Sequence, residues 1–225
     1  MQGRVPPFCS WAAATLVYLR APSSTLFTER NIANQFVSND INAVSALSYP
    51  VSELGVEHVI VMGHYGCGGV GASILARPAE NISYADGAVQ NWIEPIRHLF
   101  QTSTRPEIVK LREFNTANNV TEEPEFGDPG YRALVEENVK ESVCNIANDL
   151  VMQAHWDSFN LEQKGGSNPV ARKKRSGGES GPLRPVFVHG FVYDISNGQI
   201  SDLGISVGPP GFPPQFCGEA SRRLH

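Results

Sequence analysis

From Asn39 to Leu54 apolar residues recur at Ile41, Val44, Leu47 and Val51. Steps of three and four predict a helix, with Asp40 near its start, Gly55 as its stop and Pro50 kinking its last turn. Val56 to Met62 is a short apolar run bounded by Gly63, which predicts a buried strand. A glycine-rich turn then leads into another helix at about Gly69 to Leu75. Strand, turn and helix in succession predict an α/β fold whose central, mainly parallel sheet is flanked by helices. In such sheets ligands gather outside the carboxyl ends of the strands.

Further along, Gln90 to Phe100 reads as a helix around Trp92, Ile93, Ile96 and Phe100, with Pro95 awkwardly inside it. The polar stretch from Thr102 to Gly130 reads as loop. Tyr131 to Met152 shows helical spacing at Leu134, Val135, Val139, Val143, Ile146 and Leu150, with Cys144 as a small apolar residue on or beside that helix. Val186 to Ile195 is rich in β-branched and aromatic residues and predicts a strand, and Ser196-Asn197-Gly198 supplies hairpin chemistry before Ile200. His189 within that strand is expected to be buried and hydrogen-bonded, and His98 to be a packed or surface residue. Residues 165–181 set Lys173-Lys174-Arg175 among Gly, Ser and Pro, the composition of an exposed, flexible insertion. A phosphate-binding or address role for that basic run ranks below a solvated loop. Residues 208–225 read as a Pro- and Gly-rich surface tail in which Cys217 is a bystander.

Composition sets bounds on this outline. With 225 residues, 41% hydrophobic and 18% charged, the chain suits one globular domain over 1–225 with a substantial core. A net charge of −5 argues against a general nucleic-acid binder. No stretch approaches the ~18 consecutive apolar residues of a membrane span. Cys9, Cys67, Cys144 and Cys217 are too few and too scattered for a disulfide framework, so a reducing, cytoplasmic setting is expected, with an organelle left open. The apolar run from Phe8 to Leu19 after Arg4 has the outline of a signal peptide, but its removal would discard Cys9.

The candidate chemistry lies where strand gives way to turn, in Val59-Ile60-Val61-Met62-Gly63-His64-Tyr65-Gly66-Cys67-Gly68-Gly69-Val70. His64 and Cys67, three apart, are a neutral imidazole and a thiolate, donors that suit Zn²⁺ better than Mg²⁺ or Ca²⁺. Two ligands do not complete a site. Spacing alone leaves two other readings open, a phosphate-cradling turn and a simply packed pair. A redox or zinc-storage role for Cys9 and Cys67 is weak, because no Cys-x-x-Cys pair is present.

Arg30-Asn31-Ile32-Ala33-Asn34, Asp40-Ile41-Asn42-Ala43, Leu54-Gly55-Val56 and Gly63-His64-Tyr65-Gly66-Cys67-Gly68-Gly69 occur in that order. Val188-His189-Gly190-Phe191-Val192-Tyr193-Asp194 and Gly198 through Asp202-Leu203-Gly204 follow. This series, from about Phe27 to Gly204, resembles the β-class carbonic anhydrases. The resemblance implies their fold and the zinc-dependent, reversible hydration of carbon dioxide to bicarbonate and a proton by a zinc-bound hydroxide. It also implies a homodimer or larger homo-oligomer.

In that family the first zinc Cys begins a Cys-Ser/Ala-Asp-Ser-Arg motif whose Asp and Arg form an ion pair beside the metal-bound water. Cys9 stands 55 positions before His64, close to the family's interval, so the resemblance implies a zinc set of Cys9, His64 and Cys67. Trp11 stands in the Asp position and Ala13 in the Arg position of Cys9-Ser10-Trp11-Ala12-Ala13. The ligands match; the dyad does not. Pro6-Pro7 also sit where a central strand would need its donors, so residues 1–26 are atypical. Two readings compete for them, divergence with loss of the dyad and a faulty gene model joined to a normal remainder. Arg30, Gly68 and Gly69 match family positions near the substrate pocket. The alternative function is a catalytically silent, zinc-binding relative acting as a structural or oligomer partner.

Overall fold

The computed structural model describes residues 26–78, 82–166 and 182–212. Chain order runs from a 3₁₀ turn at Ile32–Asn34 through α1 (Ile41–Tyr49), a π-helical turn at Pro50–Leu54, β1 (His58–His64) and α2 (Gly68–Ile74). Then come α3 (Tyr84–Trp92), α4 (Glu94–Thr102), α5 (Pro106–Asn118), α6 (Pro129–Asn148), α7 (Leu150–Gln163), β2 (Phe187–Asp194) and β3 (Gln199–Val207). Helices flanking a sheet make this an α/β fold. Within the described sheet, β1 and β2 run parallel with His58 opposite Phe187 and His64 opposite Tyr193. β2 and β3 are antiparallel, with a bulge at Gly190/Phe191.

The first predicted helix forms as α1, where the Asp40 side chain accepts the Asn42 amide, and Pro50 turns its end into a π-helical turn stopped by Gly55. Three expectations need correction. The segment 102–130 is not loop throughout, because α5 occupies Pro106–Asn118. Its buried stripe is narrow, Ile108 and Leu111, while Phe114 is exposed, so the run carries little helical periodicity to read. The helix expected over 90–100 is two helices meeting at Ile93, since Pro95 sits in the first turn of α4, the position a proline tolerates best. The helix expected to reach Met152 stops at Asn148, because Asp149 adopts extended angles and its carboxylate takes the Val151 amide, opening α7.

α6 is the axis of the core. Val135, Val139 and Val143 are fully buried, and so are Val188 and Val192 on the sheet face that this helix covers. At about 1.5–3 kcal/mol for each fully buried side chain of this size, that contact is a main source of stability. Cys144 lies buried on α6 as expected, and it is disulfide-bonded. At the start of the tail Phe212 packs on Phe159 and edge-on to Phe187. The rest of that tail, with Cys217, lies outside the described residues, as do positions 167–181 of the insertion. No described helix is long and apolar enough to cross a membrane.

Candidate metal centre

β1 ends at His64, and the chain must then reverse within three residues to start α2. Gly66 makes the reversal with φ +73°, a conformation costly for any residue with a Cβ. Before it, Gly63 lets the strand lie against α6: a Cβ there would come 2.6 Å from Val139 Cγ2. The Tyr65 amide continues the sheet by donating to Tyr193 O at 3.0 Å. His64 therefore leaves the end of a pinned strand, and Cys67 occupies the N-cap of α2. Both are 4% exposed.

His64 Nδ1 lies 3.0 Å from the Tyr65 carbonyl oxygen. A carbonyl only accepts, so Nδ1 carries the proton and Nε2 is the nitrogen with the ligating lone pair. At Cys67, burial pushes the thiol up, and the amides of Val70 and Gly69 act against it by favouring the thiolate. The charge of Glu123 again favours the thiol. One imidazole in a set tautomer and one amide-supported sulfur make a donor pair suited to a borderline ion such as Zn²⁺. Among the described residues no group of three His, Cys, Asp or Glu is placed to hold a metal.

The turn between the two donors is held from α6. Tyr131 donates its hydroxyl proton to Cys67 O at 2.7 Å, within the buried interior. Tyr65 donates to Glu136 at 2.7 Å, while the Arg132 guanidinium lies 3.5 Å above the Tyr65 ring and pairs with Asp194 at 3.1 Å. Burial and the Glu136 carboxylate push the Tyr65 hydroxyl up to about 12. None of Tyr65, Tyr131, Arg132 or Glu136 was singled out from the sequence. Their partners lie 62 to 71 positions away, and no local spacing announces such pairs.

A second support comes from the Ile32–Asn34 turn. Ala33 and Asn34 both have left-handed angles, φ +59° and +45°. A row of α6 side chains one helical turn apart holds this strained backbone: Asn138 donates to Ala33 O, Ser142 to Asn34 O and Asn145 to Phe36 O. The turn rests on the start of α2, where a Cβ on Gly69 would lie 3.1 Å from Ala33 Cβ. Gly68 and Gly69 are thus the first residues of α2, directly after Cys67, and Arg30 is exposed on the segment entering the turn. Cys9, Trp11 and Ala13 lie outside the described residues.

A family model described as carbonic anhydrase matches residues 13–171. The chain belongs to the carbonic anhydrase family. The carbonic anhydrase of Emericella nidulans is 27% identical over 180 residues, covering 80% of this chain and 59% of that protein. The carbonic anhydrase of Candida albicans is 27% identical over 199 residues, covering 88% of this chain and 54% of that protein. The chain thus spans somewhat more than half the length of these two relatives. Among solved structures, a Coccomyxa β-carbonic anhydrase in complex with acetazolamide has 25% identity and a TM-score of 0.50, over 78% of this chain and 59% of that one. A structure from a study of two tetrameric β-carbonic anhydrases of Sordaria macrospora shares the fold, with 20% identity and a TM-score of 0.56, over 88% of this chain and 77% of that one. The β-class resemblance drawn from the motifs is therefore borne out. The His64–Cys67 turn falls inside the matched region.

Proposed function

We propose that the chain is a zinc-dependent carbonic anhydrase that hydrates carbon dioxide reversibly to bicarbonate and a proton. The observation that carries this reading is the buried pair at the end of β1, His64 with its tautomer set by Tyr65 O and Cys67 with its sulfur met by two amides. Cys9 is proposed as the third protein ligand. Bound there, Zn²⁺ would supply Lewis acidity that makes water nucleophilic near neutral pH. The protein's own part is to orient the donors. His64 Nδ1–H, anchored on a main-chain oxygen, keeps Nε2 in line, and Tyr131 holds the peptide after Cys67. Gly68, Gly69 and Arg30 are proposed to border the substrate pocket, Arg30 contributing positive charge for bicarbonate.

Trp11 and Ala13 offer neither a carboxylate nor a guanidinium to orient a reacting water. Loss of such an orienting partner typically costs ~10–100-fold, so slow turnover is expected. The same two residues favour a second reading, a zinc-binding but catalytically silent partner in oligomers. Support for a homo-oligomer comes from the Sordaria proteins, described as tetrameric.

The test is stopped-flow carbon dioxide hydration by zinc-loaded protein beside its Cys67→Ala variant, with zinc content measured on both and on Cys9→Ser. Faster hydration by the wild type, with one tightly held zinc fewer in both variants, supports the enzyme and its ligand set. Stoichiometric zinc with equal rates for wild type and Cys67→Ala selects the silent partner. Absence of stoichiometric zinc from the wild type overturns both readings.

A further inference from the structure

The sheet face opposite α6 carries a second set of metal-competent donors, beginning at the other end of β1 from the His64–Cys67 turn. β1 and β2 pair with His58 opposite Phe187 and Ile60 opposite His189, so the two histidines stand diagonally on adjacent parallel strands. Their rings converge. His58 Nδ1 and His189 Nε2 are 3.0 Å apart. Two imidazole nitrogens on one ion at ~2.0–2.1 Å, subtending a cis or tetrahedral angle, would lie roughly 2.9–3.4 Å apart. The pair is already at that bite distance without movement of either strand.

The surroundings suit the assignment. His189 Nδ1 lies 2.8 Å from Ser206 Oγ on β3, directly across the antiparallel pair, so the far side of the ring is anchored by a hydroxyl, as metal-bound imidazoles commonly are. His58 is stacked on Phe187, with centroids 6.1 Å apart and an interplanar angle of 26°, which restrains the exposed ring. Burial and the neighbouring His58 both disfavour the charged form of His189. The charge of Asp202 also reaches His189 and would partly offset an incoming cation. His58 is exposed, which leaves room for water to complete the coordination.

We propose that His58 and His189 form a second, exchangeable binding site for a late first-row divalent ion such as Zn²⁺, Ni²⁺ or Cu²⁺. Nitrogen donors make Mg²⁺ and Ca²⁺ poor occupants. In the loaded state His189 donates Nδ1–H to Ser206 Oγ and binds through Nε2. His58 binds through Nδ1, its single proton residing on Nε2, so occupation requires no net proton loss from neutral rings.

The experiment is equilibrium dialysis of the full-length protein against buffered free Zn²⁺, with Mg²⁺ as control, on wild type, His58→Ala, His189→Gln and Cys67→Ala. Wild type is expected to hold one exchangeable zinc that His58→Ala and His189→Gln each bind at least about tenfold more weakly. Cys67→Ala should retain it, which separates this site from the proposed catalytic one whether or not that reading survives. Because His189 is tied to Ser206, His189→Gln is interpreted only if its metal-free thermal midpoint matches wild type. The exposed His58→Ala then decides alone. The proposal is overturned if wild type binds no exchangeable zinc or if His58→Ala binds it as tightly as wild type.

Discussion

Tyr65 ties the turn outward to Glu136 of α6 and Tyr131 of α6 reaches in to Cys67 O, and each has a measurable consequence. In the unfolded chain a tyrosine hydroxyl titrates near ~10, whereas in the fold Tyr65 is pushed up to about 12 by burial and by Glu136. Between those values the unfolded state loses the proton first, so this contribution to stability is complete below ~10 and is lost as pH rises towards ~12. Urea midpoints measured across that window should fall in wild type and fall less steeply in Tyr65→Phe. Tyr131 acts on the other side, through the Cys67 carbonyl that also caps α2 by accepting the Gly71 amide. Tyr131→Phe should cost about 0.5–1.5 kcal/mol of stability and, if the zinc reading holds, lower zinc affinity by roughly tenfold. Competition with a chromogenic chelator measures the second effect separately from the first.

Among the elements, α6 does most of the positioning. One side of it buries valines against the sheet, one row of Asn138, Ser142 and Asn145 holds the strained Ile32–Asn34 turn, and its first turn contacts both the His64–Cys67 turn and α5. The α5 contact is close: a Cβ at Gly130 would stand 2.5 Å from Leu111 Cβ and 2.7 Å from Glu107 O. Gly130→Ala should force α5 away and destabilise by about 1–3 kcal/mol, despite alanine's better helix propensity. A lowered urea midpoint with an unchanged slope is the expected result. Because Tyr131 follows Gly130 directly, the same substitution should also loosen the Cys67 turn. α5 itself escapes sequence reading because Ile108 and Leu111 are its only buried residues. It is helical mainly because α6 offers those two a place to pack.

At the scale of the molecule, the family reading predicts association. Sedimentation equilibrium should give at least twice the chain mass, and a monomer at all concentrations would remove the oligomer part of the proposal. Residue order alone determined what is short in range: the β1 run, the turn that links His64 to Cys67 in the chain, Asp40 and Gly55 at the two ends of the first helical segment, and the hairpin after Asp194. Each depends on neighbours within about one turn of chain, where propensity and steric rules act directly. The motif series in the same order was also enough to indicate the family. Only the tertiary structure decided which distant groups meet, such as Tyr131 with Cys67, Arg132 with Asp194 and His58 with His189. The last pair is 131 positions apart and is joined by strand register, a property of the folded sheet that neither residue's local sequence contains.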